Sequence, residues 1–132
     1  MAAARLGRLP NRRDFLRVQA GRRCAMPGFV LQVAPVPADL ASAGPVPAEL
    51  DRPAAIRVGF TVSRKVGNAV VRNRVRRRLR EIARQVIPAE ARPGLDYVLI
   101  GRQAALTRDF AVLRRELQEA LKRLKVQAVA TP

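Results

Sequence analysis

The sequence contains no histidine, no tryptophan and a single cysteine, Cys24. These absences exclude a disulfide within the chain, a Cys/His metal site, and any histidine base or Cys/His pair. They also fit a reducing, cytoplasmic compartment. Aromatic residues amount to four Phe and one Tyr, too few for a broad platform on which bases stack. Acids are scarce too: 10 Asp and Glu stand against 26 Lys and Arg, a formal charge of +16 over 132 residues. Asp14, Asp96 and Asp109 fall singly on different predicted elements, where acids serve as caps and ion-pair partners. No catalytic residue and no metal site is therefore expected on the chain itself. No stretch reaches the roughly 18 apolar residues of a membrane span. The opening stretch MAAARLGRLPNRRDF has no long apolar run, so no secretory signal is read there.

What is present is a chain 48% hydrophobic, enough for one modest core, so residues 1–132 read as a single domain. Its charge calls for a polyanionic partner, nucleic acid before an anionic membrane surface. Residues 5–21 begin irregularly and then read as a short helix, with Asn11 as cap, Phe15 and Val18 as an apolar pair, and Gly21 as stop. FVLQVA (29–34) reads as a strand. Residues 35–55, with five prolines and a local charge of −2, read as a flexible Pro/Ala-rich insert outside the core. IRVGFTVS (56–63) alternates, with Ile56, Val58, Phe60 and Val62 on one face. After the turn RKVG, Asn68 caps a helix expected to stop near Val86, before Ile87–Pro88. DYVLIG (96–101) is a third strand. Thr107 is the expected cap of a last helix carrying Phe110, Leu113, Leu117, Leu121 and Leu124 on one stripe. The predicted order is helix-strand-strand-helix-strand-helix, an α+β domain.

The helix after Asn68 carries the charge. AVVRNRVRRRLREIAR (69–84) holds seven arginines and one acid, Glu81. At about 100° per residue, Val71, Val75, Leu79, Ile82 and Val86 gather into one apolar arc. Arg72, Arg76, Arg80 and Arg84 step by four along a neighbouring stripe, which Asn73 and Arg77 widen. A solvated helix face mixes signs at i, i+4, whereas like charges at that spacing repel. A bound polyanion removes the repulsion. Arg78, at the edge of the apolar arc, is expected to lay its stem on the core boundary and send its head to solvent. With 23 Arg against 3 Lys and few aromatics, the composition suits recognition of phosphate and shape, as in structured RNA.

GFTVSRKVGNAVVRNRVRRRLRE (59–81) closely resembles the signature of the bacterial ribonuclease P protein family: a strand, a basic turn, then a helix opening on Arg72-Asn73-Arg74. RRDFLRV, FVLQV, DYVLIGR and the last amphipathic stretch resemble the family's other elements in the same order. The resemblance implies a two-layer α/β sandwich related to ribosomal-protein folds. It also implies a left-handed crossover between parallel strands, against the usual hand. It implies the function of a ribonucleoprotein endoribonuclease, a hydrolase in which a large catalytic RNA removes the 5′ leader of precursor tRNA. RNA-bound Mg²⁺ activates the attacking water, and the protein binds the leader and tightens functional metal binding. The implied partners are the ribonuclease P RNA and precursor tRNA, with no membrane and no small-molecule substrate.

Two surfaces follow from the resemblance. The turn and helix residues Arg64, Lys65, Asn68, Arg72, Asn73, Arg74, Arg76, Arg77 and Arg80 match the motif that lies against RNA. The cleft between the first helix and the sheet, which takes the leader, maps to Phe15, Val18, Val30 and Thr61. Gln19 and Gln32 stand where many members place aromatics, so this cleft is expected to be more polar. A general RNA-binding protein would not need the ungapped 59–81 pattern. A membrane-active protein would need its apolar arc exposed, and a stand-alone nuclease would need clustered acids.

Overall fold

The alternating segment forms strand β4 (Ile56–Val62), with Ile56, Val58 and Val62 buried on one face. It sits inside a five-stranded mixed sheet of order β1-β4-β5-β3-β2. The structure, a computed structural model, describes residues 6–9, 11–36 and 56–127. β3 (Phe29–Pro35) and β5 (Leu95–Gly101) are the other expected strands, each slightly longer than the apolar run that marks it. β3 and β5 run antiparallel, while β4 and β5 are neighbouring parallel strands joined through the arginine helix.

Two strands have no counterpart in the expected order. β1 (Leu6–Arg8) pairs in parallel with Ile56–Val58, and β2 (Arg22–Ala25) pairs antiparallel with Val30–Val33. Neither carries an apolar alternation, since β2 reads RRCA and is largely exposed. Both exist because a finished strand next to them supplies backbone partners. Between them, α1 (Arg12–Gln19) starts after Asn11, whose backbone is extended but whose side chain makes no capping bond.

α2 (Ala69–Glu90) is capped as expected, with the Asn68 side chain accepting from the Val71 N–H at 3.0 Å. Gly67 gives the turn room, because a Cβ there would stand 2.9 Å from Val71 Cγ1. The helix does not stop near Val86. It passes through Pro88 to Glu90, and the Ala91 N–H closes on the Ile87 carbonyl at 3.0 Å. The bond that Pro88 cannot make would go to the carbonyl of Arg84, an exposed residue that water can serve, while the fully buried Ile87 holds the last turn to the core. α3 (Phe110–Arg123) begins later than expected. Residues Gln103–Leu106 form a 3₁₀ turn, and Asp109, not Thr107, caps the helix by accepting from Ala111 N–H.

α2 and α3 lie on one face of the sheet. Their residues Val75, Leu79, Ile82, Val86, Leu113, Leu117 and Leu121 enclose Phe29, Leu31, Val33, Tyr97 and Leu99. Each such side chain contributes about 1.5–3 kcal/mol on burial, so this layer holds the arginine helix rigidly in place. α1 lies on the opposite face, over a smaller cluster of Leu9, Val18, Ala34 and Val98. Of the expected insert, Pro35 ends β3 and the Val36 N–H bonds the Gly94 carbonyl at 3.1 Å. Its residues 37–55 lie outside the described residues.

Candidate nucleic-acid interface

The apolar arc of α2 is anchored by Val75, Leu79 and Ile82, each with no exposed surface. Its opposite side is therefore forced outward. Asn73, Arg74, Arg77, Arg80 and Arg84 are exposed, and Arg72 and Arg76 are half-buried along the rim. Asn73 accepts a bond from Arg76 at 2.9 Å and so orients that guanidinium. Glu81 accepts two bonds from Arg84, at 2.6 and 2.7 Å, and one from Gln85. The Arg84 and Gln85 bonds hold the Glu81 carboxyl below its ordinary value. The one acid of the segment thus neutralises Arg84 and no other arginine. Among the described residues, seven ion pairs form, and none involves Arg64, Lys65, Arg72, Arg74, Arg76, Arg77 or Arg80.

Arg64 and Lys65 extend the ridge from the 3₁₀ turn Arg64–Val66, both exposed. Asn68, also expected to contact RNA, has its side-chain oxygen committed to the cap, which leaves its amide as a free donor. Arg78 departs from expectation. Its head does not reach into solvent but donates to the Arg108 carbonyl, and Arg108 in turn pairs with the buried Glu116. Glu116 also accepts from the Gly28 N–H at 3.1 Å, so this chain of contacts ties α2, α3 and the β2–β3 turn together.

The second expected site lies on the face that α1 half covers. Register places Thr61, Ile100 and Val30 side by side across β4, β5 and β3, with Ala25 next on β2. The adjacent row is Gly59, Val98, Gln32 and Arg23. Phe15 lies on this face over Gly59, where a Cβ would come within 2.5 Å of the ring. Only glycine lets the ring approach that closely. Phe15, Val30, Gln32 and Thr61 are therefore brought to one face. Val18 points the same way but is wholly enclosed under α1, and Gln32 is 3% exposed. Gln19 is exposed at the end of α1. Two residues of this face were missed: half-buried Ile100, and exposed Arg23 opposite Gln32. DYVLIG is apolar without alternation, so it gives no clue to which side Ile100 takes, and β2 itself has no sequence signal.

Asp14 and Asp96 read as isolated acids along the chain, yet the fold brings them together. Asp96, fully buried, accepts from Arg57 Nε at 2.9 Å and Nη2 at 2.7 Å, and also pairs with Arg17. Arg57 reaches Asp14 as well, at 2.9 Å, and Arg17 bonds the Pro35 carbonyl. This four-residue cluster clamps α1 to β4 and β5 and so sets the position of Phe15. Burial alone would push the Asp14 carboxyl up, but the bonds from Arg17 and Arg57 outweigh it and hold the group below its usual 3.8.

Between the two surfaces, a pocket of about 770 Å³ opens at the outer edge of β4, with Phe15, Phe60, Arg8, Arg76 and Arg80 among its walls. No helix among the described residues is long and apolar enough to cross a membrane. Among those residues, no group of three His, Cys, Asp or Glu stands together as a metal site.

Comparison with known proteins places the chain in a family. The family model described as Ribonuclease P matches residues 4–125. The ribonuclease P protein component of Paramagnetospirillum magneticum is 54% identical over 123 residues, covering 92% of this chain and 85% of that protein. That of Gluconacetobacter diazotrophicus is 44% identical over 126 residues, covering 95% and 97%. Among solved structures, the Thermotoga maritima RNase P protein superposes with a TM-score of 0.65 at 30% identity, over 88% of this chain and 96% of that one. The Staphylococcus aureus RNase P protein gives 0.64 at 28% identity, over 90% and 95%.

Proposed function

Because the chain belongs to the ribonuclease P protein family, and so to a tRNA-processing ribonucleoprotein, we propose that its α2 ridge lies against the catalytic RNA and its α1-side sheet face takes the 5′ leader of precursor tRNA. The observation that carries this reading is the set of arginines on α2 with no carboxylate partner among the described residues, held outward by a fully buried opposite face. A guanidinium is always charged and binds phosphate bidentately, so a rigid row of them matches a phosphate backbone. The row Thr61–Ile100–Val30 offers a mostly apolar strip across three strands on the face that α1 half covers, suited to the exposed bases of a single strand, which a duplex keeps stacked inside.

Magnesium, held by the RNA when bound, would supply the activated water for hydrolysis. Among the described residues no three carboxylates stand together, Asp109 caps α3, Glu90 accepts from Gln118 and the rest are ion-paired, so these groups are poor candidates for holding that ion. Asp14 and Asp96 are neutralised by Arg17 and Arg57, Glu116 by Arg108, Glu81 by Arg84 and Glu119 by Arg123. The chain's own part is to lower the repulsion between RNA and leader and to hold the leader in register. Both effects reduce the magnesium that the RNA needs. The reaction would run in the cytoplasm, where precursor tRNA is made.

The test is cleavage of precursor tRNA by a bacterial ribonuclease P RNA at low magnesium, with and without this chain. Cleavage that depends on the protein at low magnesium, and much less at high magnesium, is the expected result. Equal rates in both arms would overturn the reading.

A further inference from the structure

β1 pairs with β4 only from Ile56 to Val58, so from Gly59 onward no strand borders the outer edge of β4 among the described residues. The pocket sits at that break. Its floor is Val58, Gly59 and Phe60, and Phe15 reaches it from the α1 side. Three guanidiniums line it, from Arg8 on β1 and from Arg76 and Arg80 on α2, and no carboxylate lines it. The Arg80 head stands 5.8 Å from the centre of the Phe60 ring, over its face. Arg8 and Phe60 belong to neither surface read from the sequence.

These groups differ in what they can hold. A half-buried aromatic face at an open strand edge accepts a flat heteroaromatic ring, and guanidiniums around it accept the phosphate attached to that ring. The volume is that of a small-molecule site. A paired helix cannot use such a pocket, because its bases are stacked inside, whereas an unstacked nucleotide can. The geometry points to this pocket as the receptor for one unstacked nucleotide of RNA, with Phe60 as its stacking face once the Arg80 head swings off the ring to the phosphate, and Arg8, Arg76 and Arg80 as its phosphate clamp. The inference rests on the reading of the α2 ridge as RNA-facing and adds a base contact to it. Catalytic RNA and substrate leader share this chemistry, and the experiment separates them.

The full chain is titrated with adenosine 5′-monophosphate and, separately, with inorganic phosphate, and backbone amide shifts are followed by NMR. The nucleotide is expected to move the amides of Arg8, Gly59, Phe60, Arg76 and Arg80 and to bind at least about five-fold tighter than phosphate, the low end of what stacking one base is worth. Phe60→Leu, which keeps an apolar side chain, should remove that margin and leave phosphate binding unchanged. Equal affinities, or shifts scattered over all exposed arginines, overturn the proposal without any variant. In the assembled complex, Phe60→Leu should weaken binding by a similar factor with an unchanged salt slope. A loss already present with the catalytic RNA alone assigns the nucleotide to that RNA; a loss confined to leader-bearing precursor, absent for mature tRNA, assigns it to the leader. No loss in either case overturns the proposal. If Arg76→Ala still flattens the salt slope in that event, the ridge faces RNA and only the pocket reading has failed. If Arg76→Ala also changes nothing, both have.

Discussion

Asp96→Asn is expected to lower the unfolding free energy by about 3–5 kcal/mol, the cost of breaking a buried ion pair by removing one partner. The size follows from the contacts. Asp96 has no exposed surface and accepts three bonds, two from Arg57 and one from Arg17. An asparagine keeps one acceptor and turns an N–H₂ toward groups that can only donate, so one bond is lost if its oxygen takes the place of Oδ2 and two if it takes that of Oδ1, at about 1.5–3 kcal/mol each, and every surviving bond loses its anionic acceptor. Arg17, whose side chain is 28% exposed, can swing toward water and recover part of this; Arg57, at 18%, has less freedom. Asp14→Asn should cost less, about 1–2 kcal/mol, because Asp96 still neutralises Arg57. Urea melts at neutral pH measure both, and the m-value should stay constant. A loss under about 1 kcal/mol for Asp96→Asn would mean that water serves the cluster, and the argument that it clamps α1 would fail. pH supplies an independent check. The folded Asp14 carboxyl lies below 3.8, so it binds protons more weakly folded than unfolded. Its contribution is present above that value and is lost as pH falls through the folded one. The stability gap between wild type and Asp14→Asn should therefore be full near neutrality and close in acid.

Arg72→Ala and Arg76→Ala should each flatten the log–log salt dependence of RNA binding by somewhat under one unit with little change in stability. Arg78→Ala should leave the slope intact and cost about 1–2 kcal/mol, since the Arg108 carbonyl loses its donor; equal slopes for all three and wild type would leave the ridge a solvated face. Gln19→Phe, at an exposed position on α1, should tighten holoenzyme binding of leader-bearing substrate several-fold and leave mature tRNA unchanged, and equal tightening of both would remove Gln19 from the leader path. Gln32→Tyr is a poorer probe, because that side chain is buried between Arg23 and Val98 and a larger one must displace neighbours. Replacing residues 37–55 with a four-residue turn should change stability and cleavage support little, since the ends of β3 and β4 lie at one end of the sheet with only β5 between them, about 10 Å apart. A loss above about 2 kcal/mol in denaturant melts would mean that the segment packs on the domain.

Local pattern was enough wherever one segment carries its own signal. The alternation of Ile56, Val58, Phe60 and Val62, the Asn68 cap and the apolar arc of Val75, Leu79 and Ile82 depend on neighbours a few residues away, and each was legible before any tertiary contact was known. The direction of the arginine row follows from the same arc, so the outward basic ridge was readable too. Capping by Asp109 and the passage through Pro88 were misread. In each case a rule about single residues yielded to what the flanking turn or the core required: a 3₁₀ turn delayed α3, and burial of Ile87 carried α2 onward. Tertiary structure alone decided the rest. β1 and β2 have no pattern of their own and exist because β4 and β3 supply hydrogen bonds to them. Asp14 and Asp96 lie 82 residues apart in sequence and meet only because α1 crosses the sheet above Arg57. The burial of Val18, the row formed by Thr61, Ile100 and Val30, and the pocket joining Arg8 to Phe60 and Arg80 depend on strand register and order. Register and order are set by which strands pair over long sequence separations, and no short stretch of residues encodes that choice.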